Sequence, residues 1–200
     1  MRKLIVLTFI SLDGVMQAPG GKGEDPSNGF DLEGWTVPLF DEALGKEMDR
    51  QMDQPFDLLL GKKTYDIFAA YWPHHNNDVG AGINKAKKYV VSDEPVNTDW
   101  HETIPIQQDV VAEIKKLKQQ DGPMLQVHGS SNLIQTLLSN DLVDELWLKI
   151  FPVTLGKGKR LFGQGTIPAA FKLIESKTSP SGVIIASYRR DGEVKLGSFA

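Results

Sequence analysis

Residues 124–138, MLQVHGSSNLIQTLL, change character at their centre. The first four residues predict a short buried strand, whereas residues 133–138 carry apolar side chains at helical spacing. The residues between them, 128–132, are all small or polar. Because the start of a helix exposes unpaired N–H groups and the positive end of the helix dipole, this strand-to-helix turn predicts a site for an anion.

A second turn, LLLGKKTY at residues 58–65, has a strand, a glycine, two lysines and a threonine before a helix. Gly61 and Gly129 lack a Cβ, so a ligand could approach the backbone at either turn. In open α/β sheets, ligands bind beyond the carboxyl ends of the strands, where both turns lie. Capping by Thr64 or Ser131 would explain one turn alone, but the pair indicates a ligand with two separated phosphate groups, such as NADPH.

The common dinucleotide fingerprint is absent from the sequence. No G-x-G-x-x-G occurs, and no acidic residue follows at the spacing that would hold a ribose hydroxyl. Because that acid is missing and Lys62 and Lys63 occupy the second turn, the sequence favours NADP over NAD.

Composition limits the other classes of function. The 200 residues are 40% apolar, which is enough for a core, and we expect a single domain over residues 1–200. A net charge of −4 argues against general binding to nucleic acid or membrane surfaces, and the absence of cysteine excludes disulfides and thiolate chemistry. His74 and His75 are adjacent in a polar loop without a suitably spaced partner histidine, so we expect no metal site. With no segment of transmembrane length, we expect a cytoplasmic protein.

Strands alternate with helices as far as residue 138, and only strands follow. This order predicts an α/β fold with a mostly parallel sheet, helices on both faces and an antiparallel edge. The predicted strands are residues 3–10, 55–61, 87–92, 124–127 and 143–153, followed by a hairpin over 171–190. The predicted helices are residues 38–52, 62–70, 107–119 and 133–138. The first of these is predicted from four apolar residues at helical spacing, Phe40, Leu44, Met48 and Met52. We expect residues 11–36 to form a long loop, with residues 20–34 acting as a lid.

Six segments occur in an order that resembles the dihydrofolate-reductase-like superfamily: SLDGV, LLLGKKTYD, YWP, VHGSSNLIQTLL, LVDELWL and PVTLGKGKRLF. Within it, the chain is similar to the branch of the C-terminal reductase domain of the bifunctional riboflavin-biosynthesis deaminase/reductase. The resemblance covers essentially the whole chain. It implies a three-layer α/β/α fold around a mixed, mostly parallel sheet of about eight strands that ends in an antiparallel hairpin, with NADPH across the carboxyl edge. It also implies a homodimer.

The resemblance further implies roles for single residues. The motif that holds the 2′-phosphate of NADPH is matched by Gly61, Lys62, Lys63 and Thr64. Ser92 matches an adenine-ribose contact. The pyrophosphate loop is matched by Gly129, Ser130, Ser131, Asn132 and Leu133. Residues 11–14 match the segment that borders nicotinamide and substrate, and residues 152–162 close the substrate side. Lys62 stands where the family usually has arginine, which offers a bidentate fork, and His128 matches no assigned role.

A reductase must align donor and acceptor, exclude water and supply a proton. Asp13, at the end of the first strand, is the first candidate for the proton donor, and Asp41 with Glu42 is the second. An Asp-Gly turn and compensation of a helix dipole are the structural alternatives for these acids. The candidates for contacting the substrate are Leu12, Asp13, Gly14, Trp35, Tyr65 and Phe151. For the large aromatic residues among them, packing is the alternative.

These observations favour an NADPH-dependent reductase that transfers a hydride to a small planar heterocycle or carbonyl substrate, either pterin- or folate-like or similar to a riboflavin precursor. One alternative is a non-catalytic NADP-binding protein that retains the nucleotide cradle. A second alternative is a dimerisation or regulatory module in which both glycine turns are purely structural.

Overall fold

The computed structural model describes residues 1–75, 78–163 and 166–199. Within these ranges the strands are β1 (Leu4–Ser11), β2 (Phe56–Gly61), β3 (Lys88–Val91), β4 (Thr103–Ile106), β5 (Met124–His128), β6 (Glu145–Phe151), β7 (Phe171–Thr178) and β8 (Ile184–Arg190). The helices are α1 (Glu42–Met52), α2 (Lys62–Tyr71), α3 (Asp78–Lys85), α4 (Val110–Gln119) and α5 (Ser131–Ser139). None of them is long and apolar enough to span a lipid bilayer.

The strands form one sheet in the order β4-β3-β2-β5-β1-β6-β8-β7. The pairs from β4 across to β6 are parallel. The last two strands run antiparallel to their neighbours, β8 against β6 and β7 against β8. The prediction of a mixed, mostly parallel sheet with a C-terminal antiparallel hairpin is therefore confirmed.

Helices cover both faces of this sheet, which gives three layers. Successive side chains of a strand point to opposite faces, and β2 shows the consequence. Leu59 packs in the core cluster that contains α4 and α5 residues such as Ile114 and Ile134. Leu58 and Leu60 pack in the cluster on the other face, with residues of α1, α2 and α3.

The first helix begins later than its apolar spacing predicts. The carboxylate of Asp41 accepts a hydrogen bond from Leu44 N (2.9 Å) and caps a helix that starts at Glu42. The preceding Val37–Leu39 forms a separate 3-10 turn. Phe40 consequently lies outside the helix and is exposed.

The sequence prediction missed two elements, and each has a physical reason. β4 is a short edge strand that contains Pro105, and proline is tolerated in a sheet at its edge. α3 contains Gly80 and Gly82, which lower helix propensity. Gly82 faces the ring of Phe56 on β2, where an added Cβ would lie at an ordinary contact distance of 3.6 Å.

The long segment between β1 and α1 packs against the rest of the fold. Val15, Ala18 and Phe30 form a small buried cluster within it. Trp35 Nε1 donates to the Gln17 carbonyl (2.8 Å), which closes the segment on itself. That it moves as a lid stays a prediction.

Candidate functional site

The two strand-to-helix turns lie side by side because β2 and β5 are parallel neighbours. The Gly61 N–H donates to Ser130 Oγ (2.8 Å), which joins one turn to the other. A Cβ at Gly129 would lie 3.8 Å from Thr64 Oγ1. The starts of α2 and α5 therefore form one continuous rim.

Neither helix start is capped by a side chain. The N-cap residues are Gly61 for α2 and Ser130 for α5, and neither makes a side-chain hydrogen bond to its own helix. The Ser130 hydroxyl instead accepts the bond from Gly61, with Ser130 itself in the left-handed conformation (φ 65°). The alternative that Thr64 and Ser131 act merely as caps is wrong, and both helix dipoles are available to an anion.

Both turns open into a cavity of about 960 Å³. Every residue predicted to contact the cofactor lines it: Gly61, Lys62, Lys63, Thr64, Ser92, Gly129, Ser130, Ser131, Asn132 and Leu133. We call residues 61–64 and 129–133 the phosphate half. The apolar half is defined by six further lining residues, Leu7, Phe9, Met48, Met52, Phe68 and Trp72. The volume is at the upper end of the range for small-molecule sites.

The lysines of the phosphate half are already paired with carboxylates. Lys63 Nζ forms an ion pair with Asp25, and Lys159 Nζ lies 2.7 Å from the other oxygen of the same carboxylate. Lys62 Nζ lies 2.7 Å from Asp66. Burial alone would raise the pKa of Asp25, but hydrogen bonds from Lys159 and Lys63 outweigh it and hold that pKa well below its usual range. A phosphate bound here would compete with Asp25 for Lys63.

Asp25 was not among the predicted site residues. It lies in the segment predicted to be a lid, and nothing in its immediate sequence signals a contact with residues 38 and 134 positions away. Ser92, which was predicted, does line the cavity. Its hydroxyl is engaged in a local turn, donating to the Glu94 carbonyl (2.7 Å) and accepting from the Glu94 N–H (2.9 Å).

Asp13 does not line the cavity, contrary to its expected role as proton donor. Its carboxylate accepts hydrogen bonds from Ser11 Oγ (2.6 Å) and from the N–H groups of Leu155 (3.1 Å) and Gly156 (2.8 Å). The Ser11 bond is the largest cause that lowers the pKa of Asp13 to about 2. Asp13 therefore stays ionised near neutral pH and ties the end of β1 to the segment after β6.

Asp41 is also engaged away from the cavity. Besides capping α1, its carboxylate accepts from the Ser181 N–H (2.9 Å) in the turn of the C-terminal hairpin. The N–H groups of Leu44 and Ser181 lower the pKa of Asp41 to about 2. Asp41 therefore has the structural role of an acid at the start of a helix. Neither Asp13 nor Asp41 lines the cavity.

The aromatic substrate candidates belong to the core. Tyr65 is buried, its hydroxyl donates to the Asn97 carbonyl (2.6 Å), and its ring packs on Trp100. Phe151 is fully buried and meets Trp35 edge to face, with ring centroids 5.4 Å apart. Trp35, Tyr65 and Phe151 therefore serve in packing, and none of them lines the cavity.

The two remaining substrate candidates lie beside Asp13. Leu12 is exposed, and Gly14 has a positive φ of 80° in the turn that follows β1. Neither lines the cavity. The structure thus brings the cofactor candidates together and leaves the substrate candidates outside.

The comparison with protein families matches the RibD C-terminal domain over residues 2–185. Among curated proteins, the chain is 28% identical over 200 residues to YyaP of Bacillus subtilis, an uncharacterized protein, with 96% of each chain covered.

Two solved structures are similar in fold. A putative riboflavin biosynthesis protein from Shewanella sp. PV-4 matches with a TM-score of 0.65 and 22% identity, over 96% of this chain and 99% of that one. Dihydrofolate reductase from Enterococcus faecalis, complexed with NADP(H), matches with a TM-score of 0.57 and 12% identity, over 94% and 96% of the two chains. At these identities the likeness shows the three-layer fold.

Proposed function

The chain belongs to the RibD C-terminal domain family, and from this premise we propose that it is a reductase that uses NADPH. Its acceptor is a small planar heterocycle or carbonyl compound, of the pterin or riboflavin-precursor type. The observation that carries the proposal is the meeting of two uncapped helix starts at one cavity. The solved dihydrofolate reductase with NADP(H) and a similar fold supports the choice of cofactor.

The phosphate half offers a dinucleotide two helix starts and two lysines. A Cβ at Gly61 would lie 3.3 Å from Ser130 Cβ, so a larger residue would crowd the rim that the two turns share. The N–H groups at the start of α5 would hold the pyrophosphate. Lys62 and Lys63, at the start of α2, would hold the 2′-phosphate that distinguishes NADPH from NADH.

The apolar half fits a planar acceptor. Phe9 and Phe68 offer ring surfaces, and the flexible side chains of Met48 and Met52 adapt to a ligand's outline. NADPH supplies the hydride when it is bound. The contribution of these side chains is to align the acceptor with the cofactor and to exclude water from the reacting atoms.

An activity measurement tests the proposal. We expect thermal stabilisation by NADPH to exceed that by NADH, and NADPH absorbance to fall in the presence of at least one member of a panel of pteridines, pyrimidines and quinones. Absence of both signals would overturn the proposal.

A second candidate function is a binding protein that retains the nucleotide site without chemistry. It is favoured by one observation, that Asp13 and Asp41 are both engaged in structural contacts away from the cavity. This candidate predicts stabilisation by NADPH together with no oxidation of NADPH by any acceptor in the panel.

We also propose that the chain is a single domain that pairs as a homodimer through its C-terminal hairpin. All described strands share one sheet. Its edge strand β7 exposes Leu173 and Ile174. Ile184 of β8, which pairs with Thr178 at the other end of β7, is exposed as well. A second copy would cover this edge of the sheet. Light scattering after size exclusion should give twice the monomer mass, and Leu173→Lys should reduce it to the monomer. A monomeric wild-type protein would contradict the dimer.

A further inference from the structure

His128 lies where the two halves of the cavity meet. It is the last residue of β5, directly before Gly129, and it lines the cavity. It pairs with Leu7 of β1, so its side chain points to the sheet face that carries the apolar half. Its ring meets Phe68 edge to face, with centroids 6.2 Å apart.

A buried network fixes which nitrogen of His128 carries the proton. Gln126 is fully buried, and its Nε2 donates to the Gln51 carbonyl (3.2 Å). The amide oxygen of Gln126 is thus left to accept from His128 Nε2 (2.8 Å). Since the neutral ring has one donor and one acceptor, Nδ1 is the acceptor. In the described part of the chain, no group donates a hydrogen bond to Nδ1.

The ring is also held neutral. Burial is the main cause that lowers the pKa of His128 to about 3, and the nearby Lys149 ammonium lowers it further. Lys149 is itself fully buried, which lowers its own pKa to about 7, and its Nζ donates to the Gln51 side chain. At physiological pH the His128 ring, which lines the cavity, is therefore a neutral imidazole with one acceptor nitrogen.

We propose that His128 is a specificity-determining residue, whose Nδ1 accepts a hydrogen bond from a ring N–H of a planar heterocycle in the apolar half. This inference rests on the proposed function, because it concerns the apolar half of the cavity, where that function places the hydride acceptor. A buried polar group discriminates strongly against a ligand that leaves it unpaired. The favoured acceptors are thus lactam- or imide-type heterocycles, and their N-methylated analogues are disfavoured.

The test uses matched pairs of ligands that differ by methylation of their ring N–H groups. One pair is 5,6-diaminouracil and its 1,3-dimethyl derivative, and the other is lumazine and 1,3-dimethyllumazine. Binding of each is measured by calorimetry on protein saturated with NADPH. For at least one pair we expect the N–H member to bind about tenfold more tightly than the methylated member, a typical effect of one buried hydrogen bond.

Two variants separate hydrogen bonding from packing. His128→Phe keeps an aromatic ring against Phe68 but removes the acceptor, so the preference within the pair should disappear. His128→Asn places an amide oxygen near the position of Nδ1, and it should retain most of the preference. Both variants should bind NADPH alone as the wild type does, which verifies that they are folded.

The outcomes distinguish this inference from the proposed function. NADPH binding without any preference for an N–H ligand, or a preference that survives in His128→Phe, would overturn the role of His128 and leave the proposed function standing. Weaker binding of NADPH alone to His128→Phe would assign Nδ1 to the cofactor and also overturn the inference. Loss of NADPH binding in the wild type would instead remove the proposed function.

Discussion

The two halves of the cavity are built in different ways. In the phosphate half, the groups offered to a ligand belong largely to the backbone, at the starts of α2 and α5. In the apolar half they are side chains from separate elements, such as Phe9 of β1, Met48 of α1 and Phe68 of α2. Backbone groups keep their positions when side chains change. We therefore expect the phosphate half to determine the class of cofactor and the apolar half to determine the acceptor.

The largest expected effect follows from changing the backbone-built half. Gly129→Ala introduces a Cβ at a left-handed position (φ 69°) facing Thr64. It should reduce the free energy of unfolding by about 1–2 kcal/mol and weaken NADPH binding at least tenfold, as measured by denaturation and by NADPH titration.

Gly192→Ala is the matched control for this change. Gly192 also has a positive φ (83°), but a Cβ there would meet no atom within 4 Å. It should show a similar loss of stability with NADPH affinity unchanged. If Gly129→Ala bound NADPH normally, the backbone of this turn would not be the cradle.

The next effect concerns charge in the same half. Replacing Lys62 and Lys63 together by alanine should weaken NADPH about tenfold or more, because charge-assisted bonds to the 2′-phosphate are lost. NADH lacks that phosphate and should be affected much less. Lys115→Ala with Lys116→Ala, on the exposed face of α4, is the control and should change neither affinity. Equal weakening of NADPH and NADH would place the 2′-phosphate elsewhere.

The contrast between the halves also explains what the sequence could predict. Each turn of the phosphate half is continuous in sequence, so strand, glycine and polar donors are visible within about eight residues. Leu7, Phe9 and Met48 look like core residues when read in sequence, and only the folded chain shows that they line a cavity. Asp13 stands at a strand end, where a catalytic acid is expected, but N–H groups 142 and 143 residues away donate hydrogen bonds to its carboxylate. Such distant contacts leave no local pattern.

A smaller effect tests the structural role of Asp13. The folded-state pKa of Asp13, about 2, lies below its usual 3.8. The contribution of Asp13 to the free energy of unfolding is therefore fully present when the pH is above 3.8. This contribution should be lost as the pH falls from 3.8 towards 2, because Asp13 takes up a proton at a higher pH in the unfolded chain than in the folded protein. Asp13→Asn should lower the melting temperature at neutral pH and flatten this acid dependence, with NADPH oxidation retained. Loss of turnover in a stably folded Asp13→Asn would restore Asp13 as the proton donor.

The smallest expected effect has the opposite sign and concerns Asp25, which pairs with Lys63 of the phosphate half. The carboxylate of Asp25 forms ion pairs with Lys63 and Lys159. Asp25→Asn should therefore free Lys63 for a phosphate and tighten NADPH binding about threefold, with little change in the affinity for NADH. The carboxylate of Asp25 also accepts a hydrogen bond from the Ser27 N–H (3.2 Å), and the amide oxygen of the variant can accept the same bond, so the segment keeps that local turn. Asp31→Asn, which removes a carboxylate of the same segment that pairs with Lys157 at 2.8 Å, should leave both affinities unchanged. If Asp25→Asn weakened NADPH instead, the carboxylate would act by positioning the lysines rather than by competing for them, and the phosphate half would depend on a side chain from the loop as well as on its own backbone.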